Sequence, residues 1–211
     1  MQIKPEELSA NGYQVLDSLG HQDIIPFIRA SMKKKTVFSL LYNVFNLIAA
    51  LMIVVAFLYN YSLNNFNVWN GLTYLSYGLA IAFGLVPIHE YIHVLAYKSQ
   101  GAIHTSYDAN LKKFYFMAIA DQFVANKKEF QIVALAPFTV ISGILVILLL
   151  FSGQYWTFTI LGVLLTHTAF CSGDFGLLSY FQSQKEMDVV TYDDKKNGIS
   201  YFYGKDKSLT Q

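Results

Sequence analysis

The sequence predicts an all-α integral membrane protein of four transmembrane helices, with a short strand or hairpin segment on the cytoplasmic side. Composition is the first reason: of 211 residues 54% are hydrophobic and 14% charged, and the mean hydropathy of +0.37 lies above the usual range of soluble domains. The second is four long apolar segments, Phe38 to Tyr59, Leu72 to Tyr97, Ile132 to Phe151 and Trp156 to Phe181. Each is long enough for a hydrocarbon core of roughly 30 Å, which takes about 20 helical residues. The third is charge placement. All 15 Lys and Arg residues fall in the N-terminal segment, in the stretch from Lys98 to Lys128, or after Phe181. The positive-inside rule then puts both termini and the middle loop in the cytoplasm.

This divides the chain into a cytoplasmic N-terminal segment (1–36), a four-span domain (37–182) and a cytoplasmic tail (183–211). The first segment holds Pro5, Glu6, Glu7, Asp17 and Asp23 with no basic flank leading into an apolar core, so no cleaved signal is expected. The single cysteine, Cys171, excludes an intrachain disulfide. A net charge of +1 gives no reason to expect nucleic acid as a partner. The expected surroundings are a lipid bilayer.

Between the second and third spans, Phe114 to Ala120 is too short to cross a membrane and too apolar for a plain loop. It reads as a strand or re-entrant edge, serving either to take an extended peptide by strand addition or to cover the site as a lid. In the tail, "VVTYDDKKNGISYFYG" predicts a hairpin turning at Lys196 to Gly198.

Inside the spans the only acids are Glu90 and Asp174, and no Lys or Arg accompanies them, whereas His89, His93 and His167 do. An unpaired acid in a bilayer costs several kcal/mol. A bound metal cation supplies the missing positive charge. His89 and His93 are four residues apart, so on a helix they project from one face and can hold one ion. Glu90 projects beside them, where a carboxylate can take a proton from a metal-activated water. This is the H-E-x-x-H arrangement of zinc metallopeptidases. The metzincin continuation is excluded, because Ala96 and Ser99 stand where it needs glycine and histidine.

Two histidines leave a catalytic zinc one protein ligand short. His104, Asp108, Asp121, Glu129, His167 and Asp174 are candidates, and depth selects Asp174, which lies about as far from the cytoplasmic end of its span as His89 and His93 do from theirs. His167, seven residues earlier on the same helical face, lies about 10 Å further in at 1.5 Å per residue. One zinc takes both only if the helix breaks at Ser172 and Gly173. His167 is therefore expected to support a ligand or stabilise the transition state. Pro87, two residues before His89, predicts a kink.

The H-E-x-x-H motif at His89 to His93, the "ALAPF" stretch (Ala134 to Phe138) and "HTAFCSGD" (His167 to Asp174) resemble a family of small bacterial four-span zincin-type peptidases, and more widely the intramembrane zinc metalloproteases of the site-2 protease class. The resemblance implies a Zn2+ site made by His89, His93 and Asp174, with Glu90 activating water and a membrane protein or peptide as substrate. It also implies residence in a bacterial cytoplasmic membrane. Site-2 proteases follow the third-ligand Asp directly with Gly, whereas this chain has Asp174-Phe175-Gly176. The competing expectation is a non-catalytic protein in which zinc only staples helices together, for regulation or assembly. A closed site with His167 joining through a broken helix would mark it.

Overall fold

A computed structural model describes residues 3–63, 66–110 and 115–210. After a 3-10 turn at Pro5–Glu7 the elements are β1 (Gln14–Gly20), α1 (Ile24–Met32), α2 (Val37–Tyr61), α3 (Val68–Gly84), α4 (Val86–Ser99), β2 (Thr105–Asn110) and β3 (Tyr115–Ala120). They continue with β4 (Ala125–Asn126), α5 (Lys127–Leu149), α6 (Trp156–Phe170), α7 (Ser172–Ser183), β5 (Met187–Asp194) and β6 (Ile199–Asp206).

The all-α expectation needs correcting, since two antiparallel sheets accompany the helices. One has the strand order β1-β6-β5-β4 and the other pairs β2 with β3. The tail hairpin forms as β5 and β6, with Gly198 at φ +65° in the turn. The anticipated strand is β3, while Phe114 lies outside the described residues. β1 escapes a reading of the sequence because a bulge between Val15 and Asp17 breaks the alternation that marks a strand.

Among the described residues, three helices are long and apolar enough to cross a membrane: Val37–Tyr61, Lys127–Leu149 and the run Trp156–Ser183. A fourth span exists if α3 and α4 count as one, although they meet at a 44° bend. The bend falls at Leu85, between Gly84 and Pro87. Proline biases its predecessor away from helical geometry and cannot donate to the carbonyl of Phe83. Hydrogen bonding resumes with His89 N–H donating to the Leu85 carbonyl at 2.9 Å.

The chain divides into two compact units. The first comprises Met1–Ser39, Glu90–Ala136 and Gly173–Gln211. Its core gathers Tyr97, Phe123, Phe130, Val133, Phe181 and Phe202. The Phe130 and Phe181 rings stack 4.7 Å apart, and such aromatic pairs contribute beyond their buried area. Gly176 lets α7 lie against α1, because a Cβ there would come within 2.7 Å of Ile28 Cγ2.

The second unit comprises Leu40–His89 and Pro137–Ser172. Here α3 and α6 pack backbone against backbone. A Cβ on Gly162 would stand 2.6 Å from the Leu75 carbonyl oxygen, and one on Gly78 would strike the Thr159 carbonyl. Thr159 Oγ1 donates to the Tyr74 carbonyl at 2.8 Å, and Thr168 Oγ1 donates to Asn46 Oδ1 at 3.2 Å. Close approach through small residues and hydroxyl-to-carbonyl bonds is how helices associate in lipid. Leu47, Leu51, Val55 and Leu58 of α2 present exposed apolar side chains, as a lipid-facing helix does.

Candidate metal centre

α4 carries the H-E-x-x-H motif through the point at which the chain divides, so its spacing is set by the helix itself. One ligating atom from each of His89, Glu90 and His93 lies within 4.8 Å of the others, and all three residues are buried.

His93 is held at both ring nitrogens. Its Nδ1 lies 3.0 Å from the Val133 carbonyl of α5. A carbonyl can only accept, so Nδ1 must carry hydrogen and the neutral ring keeps its lone pair on Nε2. That Nε2 stands 3.1 Å from Asp174 Oδ1 on α7. Two ligand atoms each about 2.0–2.2 Å from a tetrahedral zinc stand about 3.3 Å apart, so the pair is spaced as co-ligands are. A histidine fixed by a carbonyl on its far nitrogen is the usual surrounding of a metal-bound imidazole.

Glu90 is placed differently. Its Oε2 accepts the N–H of Ala118 on β3 at 2.7 Å. The strand lies over the acid, and Ala118, Ile119 and Ala120 are all buried. With one oxygen occupied by a backbone donor, Glu90 is less suited to ligation than Asp174, although it belongs to the close group on α4.

His89 turns toward nitrogen and sulfur. Its Nδ1 lies 3.3 Å from His167 Nε2, which in turn lies 3.9 Å from Cys171 Sγ. The three residues are buried, with ligating atoms within 4.8 Å of one another. The run from Trp156 is interrupted at Cys171, next to Ser172 and Gly173, where a break was the condition for one zinc to take both His167 and Asp174. Cys171 N–H closes the last turn on the His167 carbonyl at 3.1 Å, and Tyr42 donates its hydroxyl to the Ala169 carbonyl at 3.1 Å. His167 thus reaches His89 directly.

The remaining candidates serve elsewhere. Asp108 Oδ2 lies 2.7 Å from His21 Nδ1, Asp121 Oδ1 accepts the Lys195 N–H, and Glu129 Oε2 accepts the Asn126 N–H just before α5. The His104 carbonyl accepts the Asp121 N–H. Outside the long apolar helices, burial pushes the Asp193 carboxyl above its usual range, opposed by a hydrogen bond from Ser200 and by nearby His21. Val133, Ala118 and Cys171 were not anticipated. Two of them act through the backbone, which no residue type advertises.

A family model described as "Putative zincin peptidase" matches residues 82–188. The chain belongs to this family. The matched stretch takes in α4, both strands of the small sheet, α5, α6 and α7, and with them His89, Glu90, His93, His167, Cys171 and Asp174. Family membership implies zinc, and the donor types on α4 and α7 fit it: His93 Nε2 and Asp174 Oδ1 stand at co-ligand spacing, and the close group on α4 adds His89 beside Glu90. No curated protein and no solved structure matches the chain.

Proposed function

We propose that the protein is a membrane-embedded zinc peptidase in which His89, His93 and Asp174 hold the metal and Glu90 is the general base. The observation that carries this reading is the double restraint on His93, whose Nδ1 meets the Val133 carbonyl and whose Nε2 meets Asp174. Zinc held there would supply Lewis acidity toward a scissile carbonyl and would lower the pKa of a water toward neutrality. The role of Glu90 would be to accept that water's proton and return it to the departing amine. The Ala118 N–H orients the carboxylate by holding one oxygen. His167 supports His89 from its Nδ1 side. The substrate is an extended stretch of a membrane protein or a peptide.

Replacing Glu90 with Gln keeps size and the capacity to accept from Ala118 while removing the base. At equal zinc content, cleavage of a peptide library in detergent is expected to fall by about 10^2–10^4-fold. Equal turnover by the two proteins would end the general-base role of Glu90.

A second reading is favoured by one observation, the closeness of His89, His167 and Cys171. Zinc held by those three would be a staple with no catalytic role. Unchanged zinc binding in Asp174→Ala together with its loss in Cys171→Ser would establish that arrangement.

We further propose that α3 and α4 together form one span of four, with both termini in the cytoplasm of a bacterial cell. The support is the absence of Lys and Arg from the connections near Ser62 and Gly153. A cysteine at Lys195 should react only with membrane-permeant maleimide, and one at Ser62 also with an impermeant reagent. The reverse pattern would invert the topology.

A further inference from the structure

Pro137 lies inside α5 and is fully buried. In an α-helix the N–H of residue 137 closes onto the carbonyl of residue 133, four positions back. Proline has no N–H, and its ring crowds that same carbonyl. The carbonyl it leaves unserved is Val133, the one His93 Nδ1 meets at 3.0 Å. Helix-interior carbonyls are ordinarily engaged by the ladder, and a proline four residues on is the simplest way for the chain to release one to a neighbouring side chain.

We propose that Pro137 is a positioning residue for the metal centre. By withholding an N–H it reserves the Val133 carbonyl for His93, which fixes the imidazole with its proton on Nδ1 and its lone pair on Nε2, the nitrogen 3.1 Å from Asp174 Oδ1. The inference rests on the reading of His93 as a ligand. It gives the "ALAPF" stretch a role in chemistry as well as in shape: the proline and the histidine are 44 positions apart in sequence, yet they address one oxygen atom from two sides of the same accounting of backbone partners.

The alanine variant separates this role from a purely structural one, because the two predict opposite results. Pro137→Ala restores a helix-forming residue and an N–H, so the helix gains a bond and the protein should be no less resistant to heat. If Pro137 serves His93, the new N–H competes for the Val133 carbonyl and zinc affinity falls by about 10–100-fold, as when an outer partner of a metal-bound histidine is lost. Nitrogen-15 spectra of the zinc-loaded protein in detergent should show His93 bound through Nε2 with its proton on Nδ1 in the wild type, and a mixture of Nε2- and Nδ1-bound forms in Pro137→Ala. Placing the α-hydroxy analogue of alanine at 137, which lacks both the N–H and the ring, should restore the affinity and the tautomer.

Unchanged zinc affinity and an unchanged His93 tautomer in Pro137→Ala would overturn the inference. So would an α-hydroxy variant that behaves like Pro137→Ala, since the ring-imposed bend would then be the cause. His93→Ala serves as the reference. Wild-type zinc affinity in His93→Ala brings down the ligand reading itself, whereas a loss there without a loss in Pro137→Ala brings down only the role of the proline.

Discussion

The unit that carries Glu90, His93 and Asp174 and the unit that carries His89, His167 and Cys171 are built by different chemistry. The first has two sheets, a core of interlocking aromatic rings, and polar side chains engaged with backbone groups of strands and helices. The second has helices alone, held by glycine contacts and hydroxyl-to-carbonyl bonds, with much of its apolar surface turned outward. The donors follow the division. On the sheet-bearing side the two α4 residues meet oxygen acceptors and a backbone N–H, and on the helical side His89 meets an imidazole and a thiol. One H-E-x-x-H helix thus places its two histidines in unlike surroundings, His93 beside oxygen atoms and His89 beside nitrogen and sulfur.

The comparison breaks most decisively at the carboxylate. Asp174→Ala is expected to lower zinc occupancy strongly and to abolish hydrolysis, while Cys171→Ser should leave both near wild type. Metal analysis of the purified variants checks the pair. Loss on the sulfur side alone would mean that the helical unit owns the metal.

A smaller effect sharpens the packing half of the contrast. Gly162→Leu must push α3 and α6 apart, because the position of its Cβ already stands 2.6 Å from the Leu75 carbonyl. Overpacking of this kind costs about 1–3 kcal/mol or more, so the unfolding midpoint in detergent should drop. An enlargement at Gly143, where nothing lies within 4 Å, is the control and should leave the midpoint unchanged. Equal behaviour of the two would mean that glycine contact does not hold the helical unit.

Much of this was legible in the sequence where residue type carries the information. The closeness of His89, Glu90 and His93 follows from their spacing on one helix, and the scarcity of acids in the apolar segments singled out Asp174, which stands 3.1 Å from His93. The hairpin of β5 and β6 announced itself through Gly198, and the bend before α4 through Pro87. What could not be read depends on backbone groups or on irregularity. Val133 and Ala118 matter for a carbonyl and an N–H that every residue possesses, and β1 hides behind its bulge. The contact of His167 with His89 at 3.3 Å depends on how α6 packs, which residue type does not reveal.

The bond between Ala118 and Glu90 also constrains how chain length can vary. Along one edge of a strand, N–H groups recur at every second residue, about 6.6–6.8 Å apart. Slipping β3 by one position with its pairing to β2 kept would offer the N–H of Met117 or Ile119 to Glu90 instead, but would turn every β3 side chain to the opposite face of the sheet. Connections on either side of β3 are therefore subject to a rule of parity: a two-residue slip keeps each side chain on its own face and an N–H at the acid, and a one-residue slip keeps only the N–H.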